Sequence, residues 1–208
     1  MIISHRINYL NELISDKVFS ESDGIEFDIR DSSGVIVVQH DPFLDGQSFA
    51  DFIKYCPPDK FYIVNIKSEG IEFQTLEILQ THNINKFFLL DCSIPMIVKL
   101  SKSGEKRIAI RFSEYESVET IRLLKNCASW VWLDVFSKLP ITKEIESEIH
   151  SLGLNICIVS PELQTHPEKI SAYILQLQND LITIDAVCCK EVHISKWRHS
   201  SVLSPCPS

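Results

Sequence analysis

Short apolar runs rich in β-branched and aromatic residues recur along the chain, separated by stretches whose apolar residues fall at helical spacing. Residues 2–4, 24–30, 35–39, 61–67, 87–91, 107–112, 130–136, 154–160 and 181–187 read as strands. Residues 8–19 carry Leu10, Leu13, Ile14 and Val18 at helical spacing, with Asn8 as the predicted N-cap. A short helical segment at 48–55 is stopped by Cys56-Pro57-Pro58. Further helices are predicted over 69–81, 94–101, 116–125, 143–152 and 167–178, with Gly153 ending the helix before it. Asp31-Ser32-Ser33-Gly34 forms a turn between the second and third strand runs.

Strands alternating with helices imply a parallel sheet with helices outside it. The predicted architecture is a compact α/β (β/α)8 TIM barrel with an irregular first half. Nine runs compete for eight places. If 24–30 and 35–39 are successive barrel strands, another run lies outside the barrel. A doubly wound sheet is the alternative, and no Gly-rich phosphate loop supports it. The 208 residues suit one catalytic barrel domain over 1–197, followed by a flexible Ser- and Pro-rich tail over 198–208.

Composition narrows the function classes. A net charge of −8 gives no basic field to recruit nucleic acid, although a local site for one phosphate group stays open. Seven cysteines, an odd number with no Cys-x-x-Cys pair, suit reduced buried thiols and disfavour zinc. No apolar run reaches the roughly 18 residues of a membrane span. The first strand, beginning at Ile2, leaves no room for a signal peptide, so a cytoplasmic protein is expected.

The candidate chemistry collects where strands end. Glu26 and Asp28 lie two apart on one face of a strand, with Arg30 on the same face. His5 and His40 end the strand runs on either side of them. Asn65, Lys67, Asp91, Arg111 and Asp134 fall at further strand ends, and a ring of buried charge drawn from different strands is hard to explain as packing. Glu26 and Asp28 suit a hard divalent cation, Mg2+ or Ca2+ before zinc. The plainer reading is a salt-bridge network with Arg30 and Lys67. The histidines flanking the carboxylates tip the balance to the metal, with His5 and His40 as an acid–base pair.

His5-Arg6, Glu26-x-Asp28 and His40-Asp41-Pro42, in this order and close spacing, resemble the glycerophosphodiester phosphodiesterases, within the wider phosphatidylinositol-phospholipase-C-like barrels. The resemblance implies a metal-dependent phosphodiester hydrolase with one divalent cation. It sets His5 and His40 on opposite sides of the scissile phosphodiester and implies attack by a neighbouring substrate hydroxyl through a cyclic phosphate. Arg6 and Lys67, with Arg111 as a further candidate, would neutralise the phosphate oxygens. The third metal ligand of the family, a carboxylate, is Asn65 here, in Asn65-Ile66-Lys67. The family's Gly after His-Arg is Ile7, and its Thr-Asp after the last strand is Cys189-Lys190.

Only about twenty residues separate His40 from the strand at Phe61, where the family carries a longer capping insertion. The cleft is therefore expected to be open, admitting a small-molecule, glycan or lipid phosphodiester. Two alternatives remain at this point. One is a degenerate barrel that binds a phosphorylated ligand without turnover. The other is a metal-dependent lyase or isomerase on the same scaffold.

Overall fold

A computed structural model describes residues 1–204, apart from the side chains of Asp16 and Lys17. Among the described residues ten strands form: β1 (Ile2–Ser4), β2 (Gly24–Ser32), β3 (Val35–Val38), β4 (Gln47–Ser48), β5 (Phe61–Ile66), β6 (Phe87–Leu90), β7 (Ala109–Phe112), β8 (Trp130–Leu133), β9 (Asn155–Val159) and β10 (Ala186–Cys189). Eight of them make a parallel ring. β10 pairs with β1, β1 with β2, β2 with β5 and β5 with β6, while β7, β8, β9 and β10 pair in sequence. The ring is completed between β6 and β7 by a single parallel bridge, Leu89 with Ile108, at which the Leu89 N–H donates to the Arg107 carbonyl at 2.9 Å. This is the TIM barrel the alternation predicts.

The strand run that falls outside the barrel is 35–39 itself. Ser33 and Gly34 both take positive φ (53° and 83°), the backbone of a two-residue type I′ turn. Such a turn returns the chain antiparallel, so β3 pairs with the outer half of β2 and β4 with β3. A parallel neighbour would need a crossover of a dozen residues or more.

Alternation along the strands separates two apolar layers. Ile3, Ile63, Phe88, Leu90, Ala109, Trp130, Trp132, Cys157, Val159, Ala186 and Cys188 fill the barrel interior. Residues of the other parity, such as Ile25, Phe27, Ile29 and Val64, face the helices. Gly24 opens β2 where a Cβ would lie 2.0 Å from the Phe61 carbonyl oxygen, so only glycine lets β2 and β5 close there.

The helices are α1 (Leu10–Leu13), α2 (Asp16–Glu21), α3 (Phe49–Phe52), α4 (Glu72–Thr81), α5 (Ile94–Lys102), α6 (Val118–Leu124), α7 (Lys143–Ser151), α8 (Ile170–Asn179) and α9 (Ile194–Arg198). None among the described residues is long and apolar enough to cross a membrane. The helix predicted over 8–19 is two short helices, and Asn8 caps neither, because its side chain is drawn into the barrel mouth. α3 packs Phe49 and Phe52 onto Phe27, with ring centroids 5.7 and 5.2 Å away, so the segment after His40 folds against the barrel wall.

The last strand starts at Ala186 rather than 181. Leu181 takes a positive φ (54°) in the turn after α8, and Ile184 is spent on a bridge to Leu203. That bridge also corrects the predicted loose tail over its described part. Val202 is buried, and the Ser204 N–H donates to the Ile184 carbonyl at 2.8 Å. Residues 205–208, including Cys206, lie outside the described residues. The other six cysteines are free.

Candidate active site

Above the apolar interior, the C-terminal ends of the strands present polar side chains to a cleft of about 260 Å³, floored by Leu90, Trp132 and Val159. His5, Arg6, Asp28, Asn65, Lys67 and Arg111 all line it. Glu26 sits beneath, hydrogen-bonded to Arg6 and Asn65 and 3.7 Å from His5 Nε2.

The β1–β2–β5 side is built around the two carboxylates. Glu26 and Asp28 are each 1% exposed. Arg6 takes a left-handed backbone (φ 55°), which turns its N–H onto Glu26 Oε2 at 2.7 Å and leaves its guanidinium 3.7 Å from Asp28. Asn8 grips Asp28 twice: its Nδ2 donates to Asp28 Oδ2 at 2.8 Å, and its Oδ1 accepts the Asp28 N–H at 2.9 Å. His5 is fixed through its N–H to the Cys189 carbonyl (2.9 Å), with Nε2 3.7 Å from Glu26 Oε2. Asn65 pairs in register with Asp28 and donates Nδ2 to Glu26 Oε1 at 2.9 Å.

Asn65 Oδ1 is buried and has no hydrogen-bond partner among the described residues. A buried acceptor without a donor carries a desolvation cost that a cation beside it would remove. Burial first, and the adjacent Asp28 carboxylate second, push the Glu26 carboxyl well above the usual range. Among the described residues no three His, Cys, Asp or Glu side chains are grouped to hold an ion by themselves. The two carboxylates and the one amide oxygen are hard oxygen donors, of the kind that fits Mg2+ or Ca2+. Asn65→Asp is expected to tighten divalent-cation binding by roughly tenfold while lowering the stability of the metal-free protein, because it places a third carboxylate against Glu26. Calorimetric titration and thermal melts without metal check the two halves.

His5 is pushed down to about 3, by burial first and then by the Arg6, Lys190, Lys67 and His40 charges. It is a neutral imidazole at physiological pH, able to accept a proton. His40 stands apart from the cleft lining. It is 34% exposed, with Nδ1 2.8 Å from Asp41 Oδ1. Its carbonyl accepts from Arg30 Nη1 at 2.7 Å, which removes Arg30 from the carboxylate network in which the plainer reading placed it.

On the β6–β8 side the cations are committed. Lys67 Nζ lies 3.1 Å from Asp91 and 3.5 Å from Asp28. Arg111 donates Nη1 to Asp91 (2.7 Å), Nε to Glu116 (2.8 Å) and Nη2 to Asp134 (2.6 Å). Its planar fork is therefore occupied by carboxylates on every edge. Gln164 Nε2 completes Asp134 at 2.7 Å. Asn8, Glu116 and Gln164 are the site residues that sequence reasoning missed.

No family model matches the chain, and no curated protein matches it in sequence. Solved structures do match. The glycerophosphodiester phosphodiesterase of Thermotoga maritima superposes with a TM-score of 0.66 over 95% of this chain and 97% of its own, at 17% identity. A phosphodiesterase of Oleispira antarctica, solved with the product sn-glycerol-3-phosphate, superposes with a TM-score of 0.64 over 90% and 92%, at 18% identity. A glycerophosphoryl diester phosphodiesterase from Parabacteroides distasonis reaches 0.64 over 94% and 85%, at 12% identity. At such identities the likeness is one of fold, and it spans nearly the whole chain. The protein is a divergent TIM barrel with the fold of the glycerophosphodiester phosphodiesterases.

Proposed function

We propose that the protein is a metal-dependent phosphodiesterase that cleaves phosphodiesters in the open cleft at the barrel mouth. The observation that carries this reading is the orphaned Asn65 Oδ1 beside two buried carboxylates, with Arg6 and Lys67 flanking them. Glu26, Asp28 and Asn65 would hold one Mg2+ or Ca2+. When bound, such a cation polarises a phosphoryl oxygen and offsets the charge that develops on it.

The chain's own groups do the rest. Arg6 and Lys67 orient the phosphodiester and balance its negative charge. His5, neutral, accepts the proton of the attacking group, a neighbouring substrate hydroxyl in the mechanism the resemblance implies and a water molecule on esters that lack one. His40 delivers a proton to the leaving alkoxide from the rim, and the phosphorus–oxygen bond to that alkoxide breaks.

The mouth supports a bulky substrate. Between His40 and Phe61 the chain forms no cap, and the loops following different strands carry exposed Tyr9, Phe43, Leu44, Tyr115 and Val192. An apolar rim of this kind suits a lipid or a large glycan phosphodiester as well as a small one. A second reading, a barrel that binds a phosphorylated ligand without turnover, is favoured by the missing charge at Asn65.

Hydrolysis of bis(p-nitrophenyl) phosphate and of glycerophosphodiesters, with Mg2+, Ca2+ or Mn2+ and with EDTA, separates the two. Metal-dependent release of nitrophenol or of the alcohol is expected. His40→Ala is expected to slow the glycerophosphodiester about a hundredfold and the nitrophenyl ester little, because nitrophenolate leaves without a proton. Ligand binding without turnover on any substrate would favour the second reading.

A further inference from the structure

The parallel register between β1 and β10 pairs Ile2 with Val187, Ile3 with Cys188 and Ser4 with Cys189, so the next pair is His5 and Lys190. Ile3 and Cys188 both face the barrel interior. Lys190 keeps an extended backbone (φ −72°, ψ 147°), so alternation continues and sets it beside His5 on the inner side of the mouth.

Its root is fixed from below. The Lys190 N–H donates to Glu162 Oε1 at 2.9 Å. Glu162, 6% exposed, is bonded to Ser160, whose hydroxyl accepts Trp197 Nε1 at 2.7 Å. The head of the side chain is exposed and makes no hydrogen bond or ion pair among the described residues. The other cations of the mouth differ in this respect. Arg111 is held by three carboxylates, Lys67 by two, and Arg6 leans over Asp28.

Position then decides what Lys190 can meet. β10 and β2 flank β1 on opposite sides, so the Lys190 root stands two strand spacings, roughly 10 Å, from the strand carrying the carboxylates. A phosphate bound between Arg6 and Lys67 lies toward β2. What reaches Lys190 is the part of the substrate on the far side of His5.

Resting on the phosphodiesterase reading, we propose that Lys190 selects substrates with a second negative charge, a carboxylate or phosphate on the ester arm that lies toward β10. The test uses two 4-nitrophenyl phosphodiesters, one with an ethyl arm and one with a 2-carboxyethyl arm. At low salt the wild type is expected to prefer the carboxylated ester roughly fivefold in kcat/KM, the scale of an exposed ion pair. Lys190→Ala brings the ratio to about one, Lys190→Arg keeps it and Lys190→Glu reverses it, with the ethyl ester little changed throughout.

An equal loss on both esters, or a wild-type ratio near one, overturns the proposal and leaves the phosphodiesterase reading intact. If the wild type cleaves neither ester, that reading fails, and calorimetry decides for Lys190 by itself. Tighter binding of 2-carboxyethylphosphonate than of ethylphosphonate, lost in Lys190→Ala, upholds the second-charge role. Equal binding ends it.

Discussion

Glu26→Gln is expected to cost on the order of a thousandfold in metal-dependent phosphodiester hydrolysis, a barrier increase of about 4 kcal/mol. The replacement keeps the volume and an acceptor for Asn65, so the barrel should still fold. Its stability should respond to pH differently. In the wild type the Glu26 carboxyl is raised by burial and by Asp28. A group whose pKa is higher folded than unfolded contributes stability below its unfolded value and loses it as pH rises through the folded one. Metal-free wild type should therefore lose stability on the alkaline side of the ordinary carboxylate range, and Glu26→Gln should lack that loss. Divalent cation requires the ionised carboxylate, so the melting shift it induces in the wild type should grow with pH and be absent from Glu26→Gln. Melts across pH with and without Mg2+ check both statements, and an undiminished metal shift in Glu26→Gln would remove Glu26 from the site.

His5→Ala comes next in size, with an expected loss of a hundred- to ten-thousandfold in kcat/KM, the range for a general base. Because His5 is pushed down to about 3 by burial and neighbouring cations, it stays neutral through the weakly acidic range. The kcat/KM profile should carry no break from this residue near the ordinary imidazole pKa of about 6.5. The same depression has a stability sign. The unfolded chain takes up the proton first, so His5 withdraws stability as pH falls from about 6.5 toward 3. His5→Ala should soften acid unfolding over that window while abolishing turnover. A variant with wild-type kcat/KM would show that the proton goes elsewhere.

Much of this arrangement is legible in the chain, and the exceptions have physical causes. Strand alternation alone places Glu26 with Asp28, and Asn65 with Lys67, on inner faces, and the fold keeps both pairs there. The 35–39 run misleads because a buried antiparallel strand and a buried parallel one share the same β-branched composition. Only the positive-φ turn at Ser33-Gly34 separates them. Asn8 reads as an N-cap because Asn is at home there, yet the left-handed turn at Arg6 aims it at Asp28 instead. Nothing local in the sequence announces that turn, because the residue that takes the left-handed backbone is an arginine and not a glycine. Arg111 was visible as a cation at a strand end. That it pairs with Asp91 and Asp134 at once, and with Glu116 besides, depends on elements meeting in space, which no spacing records. The run 181–187 is apolar for two reasons, one half bridging Leu203 and the other entering the barrel, so its strand begins late.

Phosphodiester cleavage is proposed to depend on a divalent cation held by Glu26, Asp28 and Asn65. A parallel titration of the wild type tests it most directly, following hydrolysis of bis(p-nitrophenyl) phosphate and the melting temperature against the concentration of Mg2+ or Ca2+. Both are expected to rise together with one half-saturation point, and EDTA is expected to abolish both. Turnover that persists in EDTA, or a melting temperature that no divalent cation moves, would contradict it.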